Sequence, residues 1–436
     1  MHIPFVKHTL PNGLDVIVHE DRGCPIVAVS VWYHVGSKNE APGRTGFAHL
    51  FEHLMFEGSE HHDHGYFPPL QEAGASMNGS TNADRTNYWE VVPSNAIDLA
   101  LWMESDRMGY LLAALTDAKF TNQRDVVLNE RRQNYENRPY GLAGIAIVAA
   151  LYPSDHPYHW LTIGSADDLR AARIEDVRTF FRTYYHPGNA SVAIAGDIDP
   201  DRALALAEHY FGDIPGGSPA AKVVVEMPLS IASESRLLLE DRVELPRLYL
   251  AWHTPALFAD GDAEMDLVAD VLSHGKTSRL YRSLVYEKRI ATEVAASQNS
   301  RELSSFFQVV ATAAPGRTLG EIERAITEEI DRLAAGGPEP DEMERALAQS
   351  EALFVHRLQT VGGFGGKSDQ LNAYNTFLDD PGGFARDLAR YRQANAAVIR
   401  SAAARDLGRA NRVTLSVVPR GRPALGLADS APVAVS

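Results

Sequence analysis

The sequence predicts an α+β protein of two homologous domains, each a mixed, mostly antiparallel sheet with helices packed mainly on one face. Three observations carry this. The chain has 436 residues, 45% hydrophobic and 22% charged, which is ordinary globular composition but too long for one ordinary core. Strand-length apolar runs are interleaved with longer helical stretches, as in sheets covered by helices. The second half also repeats the first. The run 246–252 answers the strand that begins at Pro25, and Arg400 precedes Asn411 by eleven residues, as Arg178 precedes Asn189. On this reading residues 1–211 form the first domain, 212–225 a Pro- and Gly-rich linker, and 226–436 the second domain.

The elements follow in order. After the turn Pro11-Asn12-Gly13, the residues Leu14, Val16 and Val18 alternate with Asp15 and His19, which reads as a strand. Residues 25–33 form a second, more buried strand. Cys24 just before it is expected to be a small buried residue, and as the single cysteine it excludes an intrachain disulfide. Asn78, Gly79, Ser80 and Thr81 lie in a Gly-rich polar run that suits an exposed edge strand. Helices are expected at 95–115, 117–137, 140–152 and 174–185, and a closing strand at 189–196. The matching strand of the second copy is 413–418.

Composition and short motifs exclude several functions. A formal net charge of −16 argues against nucleic acid and anionic membrane as partners. No run approaches the roughly 18 apolar residues of a membrane-spanning helix. The N-terminus lacks the apolar core of a signal peptide, so a cytoplasmic location is expected, or a periplasmic one if a leader has been removed. Gly362-Gly-Phe-Gly-Gly-Lys-Ser368 and Gly275-Lys-Thr277 resemble the tail of a phosphate loop. Both lack its first glycine, having Val361 and Asp270 there, and both follow helical segments. His61-His62-Asp63-His64 ends at Gly65 and reads as an exposed polar loop rather than a metal site.

His49-Leu-Phe-Glu52-His53 is different. It lies in a proline-free stretch between Gly46 and Gly58, so a short helix is expected. Residues four apart share a helix face, so both imidazoles can hold one zinc ion. Glu52 shares that neighbourhood and can act as general base toward a water. The pattern is the inverted H-x-x-E-H zinc motif, though an amphipathic helix with two surface histidines fits it too. The internal repeat separates the two readings. Residues 267–272 align with 49–54, and there Leu267 and Val271 replace the histidines. Apolar residues therefore satisfy the fold at these positions, and the histidines serve something other than packing. Downstream, 125–134 reads as a helix with Glu130 midway.

HLFEH followed by VVLNERR, with Glu130 seventy-seven residues after His53, resembles the pitrilysin or insulinase (M16) family of zinc peptidases. In particular it is similar to the short bacterial members related to the mitochondrial processing peptidase. The resemblance implies that His49, His53 and Glu130 bind one Zn2+ per chain and that Glu52 is the catalytic base. It implies that an extended peptide adds to the edge at Asn78, Gly79, Ser80 and Thr81, and that the two halves enclose a chamber. The expected activity is endopeptidase cleavage of extended or unfolded peptides, in degradation or processing. The alternative is a non-catalytic or assembly subunit, as some relatives are. The Gly362–Gly366 run resembles a substrate-contacting loop in related proteins and fits a flexible inter-helix loop equally well.

Two departures stand out. Relatives often carry a second glutamate seven residues before the third ligand, where this chain has Gln123. Active single-chain relatives also carry an arginine and, seven residues later, a tyrosine in the second half. A gap-free alignment of 278–294 places Val285 and Thr292 there, while a one-turn shift brings Arg282 or Arg289 close. The resemblance therefore implies a heterodimer, with this chain bearing the zinc and a related subunit supplying the Arg/Tyr pair. A homodimer is the alternative, and neither nucleic acid nor membrane is expected as a partner.

Overall fold

The strand-length runs pair into two sheets in a computed structural model, which describes residues 1–435 other than Pro219, Met227, Pro228 and Ser230. The first sheet contains β1 (Val6–Thr9), β2 (Asp15–Glu20), β3 (Ile26–Tyr33), β4 (Ser76–Thr81), β5 (Thr86–Pro93) and β6 (Ala190–Gly196). Its order is β1-β2-β6-β3-β5-β4. The second contains β7 (Ser235–Asp241), β8 (Arg247–Thr254), β9 (Ala291–Asn299), β10 (Ser305–Ala313), β11 (Val413–Pro419) and β12 (Ala431–Pro432). Its order is β12-β7-β11-β8-β10-β9, in which the five strands from β7 to β9 repeat the five from β2 to β4. β6 runs parallel to β2 as β11 does to β7, and each also pairs antiparallel with the next strand inward. The outer strands differ: β1 is antiparallel to β2, whereas β12 is parallel to β7. The two-domain α+β architecture and the internal repeat are thus present, with β4 and β9 as matching edges.

The compact units trade segments. The first comprises residues 1–129, 162–223 and 353–387, and the second comprises 130–161, 224–352 and 388–436. The helix Lys367–Leu378 thus lies on the first sheet although it belongs to the second half of the sequence. There Asn372 donates to Ser30 O at 2.8 Å and accepts from Ser191 Oγ at 2.8 Å, and Asn375 donates to Asp15 at 3.0 Å. Reciprocally, Tyr152 Oη donates to Ser304 O at 3.1 Å, and Tyr158 Oη accepts from Leu303 N at 3.0 Å. An amphipathic pattern fixes that a helix buries one face but not which sheet receives it. The compact units therefore differ from the contiguous stretches 1–211 and 226–436 by these exchanged pieces. The expected linker, 212–225, holds no helix or strand among its described residues, and its Pro219 lies outside them.

Three local expectations resolve here. Cys24 is exposed, not buried, because it occupies the turn before β3 begins at Ile26. The helix expected at 140–152 spans Ala143–Leu151, because Tyr140 takes a left-handed φ of 61° while its N–H donates to Asp241. Leu267 and Val271 sit in the core of the second unit beside Leu248, Leu250 and Trp252 of β8. The positions that match the histidines are therefore packing positions where the fold is left to itself. No described helix is long and apolar enough to cross a membrane.

Candidate metal centre

The helix Phe47–Leu54 buries Phe47, Leu50, Phe51 and Leu54, and Phe51 stacks on Phe181 and Tyr185 with centroids 5.5 and 4.8 Å away. Its other face presents His49, Glu52 and His53, all half-buried. Two features fix its start. Gly46 has φ 89°, and an added Cβ would lie 3.0 Å from both Ile163 O and the Leu169 side chain. The Glu40 carboxylate accepts from the N–H groups of Gly46 (3.0 Å) and Ala48 (2.8 Å). It thus satisfies first-turn donors and places negative charge at the positive helix end.

The Nε2 atoms of His49 and His53 stand 3.3 Å apart with their ring planes at 85°. A tetrahedral site with metal–nitrogen bonds of about 2.0–2.1 Å has an edge of about 3.3–3.4 Å. The third donor is Glu130, in the last turn of the helix Asp117–Arg131. Ligand atoms of His49, His53 and Glu130 all lie within 4.8 Å of one another. Two imidazoles and one carboxylate suit zinc and leave one coordination position for water or substrate. Among the described residues no other group of three His, Cys, Asp or Glu side chains converges in this way. In the 61–64 loop, His61 donates its backbone N–H to Asp106, and its Nδ1 lies 2.6 Å from the same carboxylate.

Sequence reasoning missed Asn134. The helix opens into a π turn over Arg132–Glu136, and Asn134 Nδ2 donates to Glu130 Oε1 at 3.3 Å. Such a partner orients a carboxylate ligand. Its position four residues after Glu130, on the same helix face, was the available signal. Gln123 donates through Nε2 to Glu57, just beyond the histidine helix. Here the amide ties two segments together.

Among the described residues β4 pairs only with β5, so its other side is an edge of the sheet. Asn82 N donates to Arg85 O at 3.0 Å, which makes this a hydrogen-bonded pair. Antiparallel ladders alternate, so Ser80 bonds inward to Asn87 and Asn78 to Trp89. The outward main-chain groups are those of Met77, Gly79 and Thr81. Of the four residues expected at this edge, Gly79 and Thr81 turn their backbone groups outward, and Asn78 and Ser80 turn theirs toward β5; Asn78 Oδ1 accepts from Gly79 N at 2.8 Å. A Cβ on Gly79 would come within 2.9 Å of Tyr88 and 3.0 Å of Phe56. Gly79→Ala should displace the edge and lower peptide cleavage about tenfold or more with zinc content unchanged, measured by initial rates and metal analysis.

In the second unit, Val285 is half-buried against the core and Thr292 is exposed at the start of β9. Arg282 pairs with Glu287 at 3.4 Å, and Arg289 has φ 52°.

Profiles of known families match both halves of the chain. A profile described as "Insulinase (Peptidase family M16)" matches residues 15–152, and one described as "Peptidase M16 inactive domain" matches residues 172–350. The chain belongs to the M16 peptidase family. Among its M16 relatives is the zinc protease PqqE of Helicobacter pylori, 28% identical over 356 residues, covering 81% of this chain and 80% of that protein. A "Probable mitochondrial-processing peptidase subunit beta" of Arabidopsis thaliana is 21% identical over 364 residues, 80% of this chain and 66% of that protein. The crystal structure of a protease from Helicobacter pylori shares the fold, with a TM-score of 0.87 at 24% identity, covering 95% of this chain and 100% of that one. The first M16 profile spans His49, Glu52, His53 and Glu130 together.

Proposed function

We propose that this M16 chain is a zinc-dependent endopeptidase acting on extended or unfolded peptides. The observation that carries the reading is the convergence of His49, His53 and Glu130, with Glu52 between the histidines on the same half-buried helix face. One zinc ion bound there would supply Lewis acidity toward the scissile carbonyl and lower the pKa of an attacking water. Glu52 takes the proton of that water and delivers one to the leaving amine. Asn134 holds Glu130 in orientation. The outward main-chain groups of Met77 and Thr81, with the carbonyl of Gly79, hold the peptide as an added strand, which grips the backbone and leaves side chains unread. A role in peptide degradation or processing follows from such a sequence-tolerant hold.

A second reading, a non-catalytic or assembly subunit, is favoured by the "inactive domain" profile over 172–350 and by Val285 and Thr292. Zinc analysis combined with cleavage of a quenched peptide separates the two. Bound zinc with turnover supports the peptidase, and a chain that binds no zinc and cleaves nothing in any combination is the subunit.

The partner follows from the same two residues. A valine and a threonine cannot supply a cation and a phenol to transition-state charge, a contribution worth several kcal/mol. A related subunit bearing the Arg/Tyr pair would supply them, making a heterodimer in which this chain holds the zinc. Addition of such a chain from the same organism should raise the specific activity at least about tenfold. Full activity as a monomer, or as the alternative homodimer, overturns the heterodimer.

A further inference from the structure

The turn joining β4 to β5 is locked in place. Asn82 Oδ1 accepts from Asp84 N at 2.7 Å and Arg85 N at 2.9 Å. The loop before the histidine helix grips it from outside: Ser37 N donates to Asn82 O at 3.1 Å, and Lys38 N to Ala83 O at 2.9 Å. Lys38 Nζ, buried with Asp84, donates to Asp84 O at 3.2 Å. A side chain at Gly36 would strike the backbone of Asn82 and Ala83. Much construction is thus spent on one hairpin end, and it fixes Arg85.

Arg85 uses only half of its fork. Nη1 donates to Ser80 O at 2.9 Å and to Ser80 Oγ at 2.7 Å, and the guanidinium sits 5.1 Å from the centre of the Trp32 ring. Nε and Nη2 donate to no described residue, and neither nitrogen is sealed from solvent. These two carry the parallel N–H pair of a guanidinium, its strongest recognition edge. Burial pulls the Arg85 pKa down, while the carboxylates of Asp369, Glu52 and Asp84 favour its charge. A purely structural role, tethering Ser80 and balancing those carboxylates, accounts for Nη1 and for the charge. It gives the parallel pair nothing to do.

We infer that Arg85 is a substrate-positioning residue whose Nε–H and Nη2–H extend the donors of the β4 edge beyond its end and take a main-chain carbonyl of the extended peptide. The acceptor is a neutral carbonyl rather than an acidic side chain. Three carboxylates already surround this cation, and a fourth anion would add repulsion beside Glu52. The inference rests on the peptidase reading, and the test separates the two.

Zinc-loaded Glu52→Gln is used to bind peptides without cleaving them. Dissociation constants are measured by fluorescence anisotropy for extended peptides of varied side chains. Arg85→Lys in that background keeps a cation and a donor for Ser80 but loses the parallel pair. The dissociation constant should rise about tenfold for every peptide alike, with zinc content and thermal midpoint unchanged. Arg85→Gln, which also keeps a donor for Ser80 O, gives the same answer if the lysine variant does not fold. Parental affinity in a folded variant overturns the inference, because a tether alone is then enough. So does weakening confined to peptides with acidic residues, which makes Arg85 a side-chain reader. If zinc-loaded Glu52→Gln binds no peptide at all, the peptidase reading fails first and takes this one with it.

Discussion

Glu52→Gln should keep the zinc proposed for this site and lose at least about a hundredfold in peptide cleavage. The amide matches the carboxylate in size, so the helix Phe47–Leu54 keeps its buried face on Phe181 and Tyr185. The histidine nitrogens and Glu130 converge without it, so the metal site has no need of residue 52. What changes is proton affinity: an amide cannot take a proton from water at neutral pH. The measurement is paired, zinc per chain beside initial rate on a quenched peptide, and the thermal midpoint shows that the fold is intact. Loss of metal together with activity would mean that Glu52 is a ligand and that the assigned roles are wrong. Unchanged turnover would mean that another group is the base.

Parts of this site were legible in the sequence because they are local. A four-residue spacing puts two histidines on one helix face whatever surrounds them. The repeat supplied a control, Leu267 and Val271, which the structure places in a core. Several strands and the internal repeat were legible in outline, because period-two runs mark the strands, but the order in which they pair was not. The rest depends on distant contacts. Glu130 entered through the family resemblance, since nothing local links a glutamate to histidines seventy-seven residues away. Glu40, six residues before Gly46, caps the histidine helix through a loop whose path no pattern specifies. Asn372 on the first sheet could not be foreseen, because the polar bonds that seat its helix appear only once the chain has crossed over. Cys24 was misplaced because strand patterning does not say on which residue a strand begins.

His49→Ala, His53→Ala and Glu130→Gln should each weaken zinc binding, and cleavage should fall with the metal in all three. Each removes one of three protein donors from a set with one open position, so the remaining pair holds zinc only weakly. Asn134→Ala acts one step further out and should lower affinity about tenfold, by releasing Glu130 rather than deleting it. The fold should survive all four changes. The two histidines lie opposite the buried face of their helix, and the second unit builds the equivalent helix Asp262–Ser273 with Leu267 and Val271 and no metal motif. The paired change His49→Leu with His53→Val copies that natural arrangement into the first unit. It should give a folded chain that binds no zinc and cleaves nothing, with a thermal midpoint no lower than that of the metal-free parent, because metal binding adds stability only when metal is present. Exhaustive chelation of the parent should abolish cleavage, and added zinc should restore it. Full activity in a sample shown to contain no zinc would end the metallopeptidase reading. A His49→Leu, His53→Val chain that fails to fold would show that these histidines do structural work their counterparts do not.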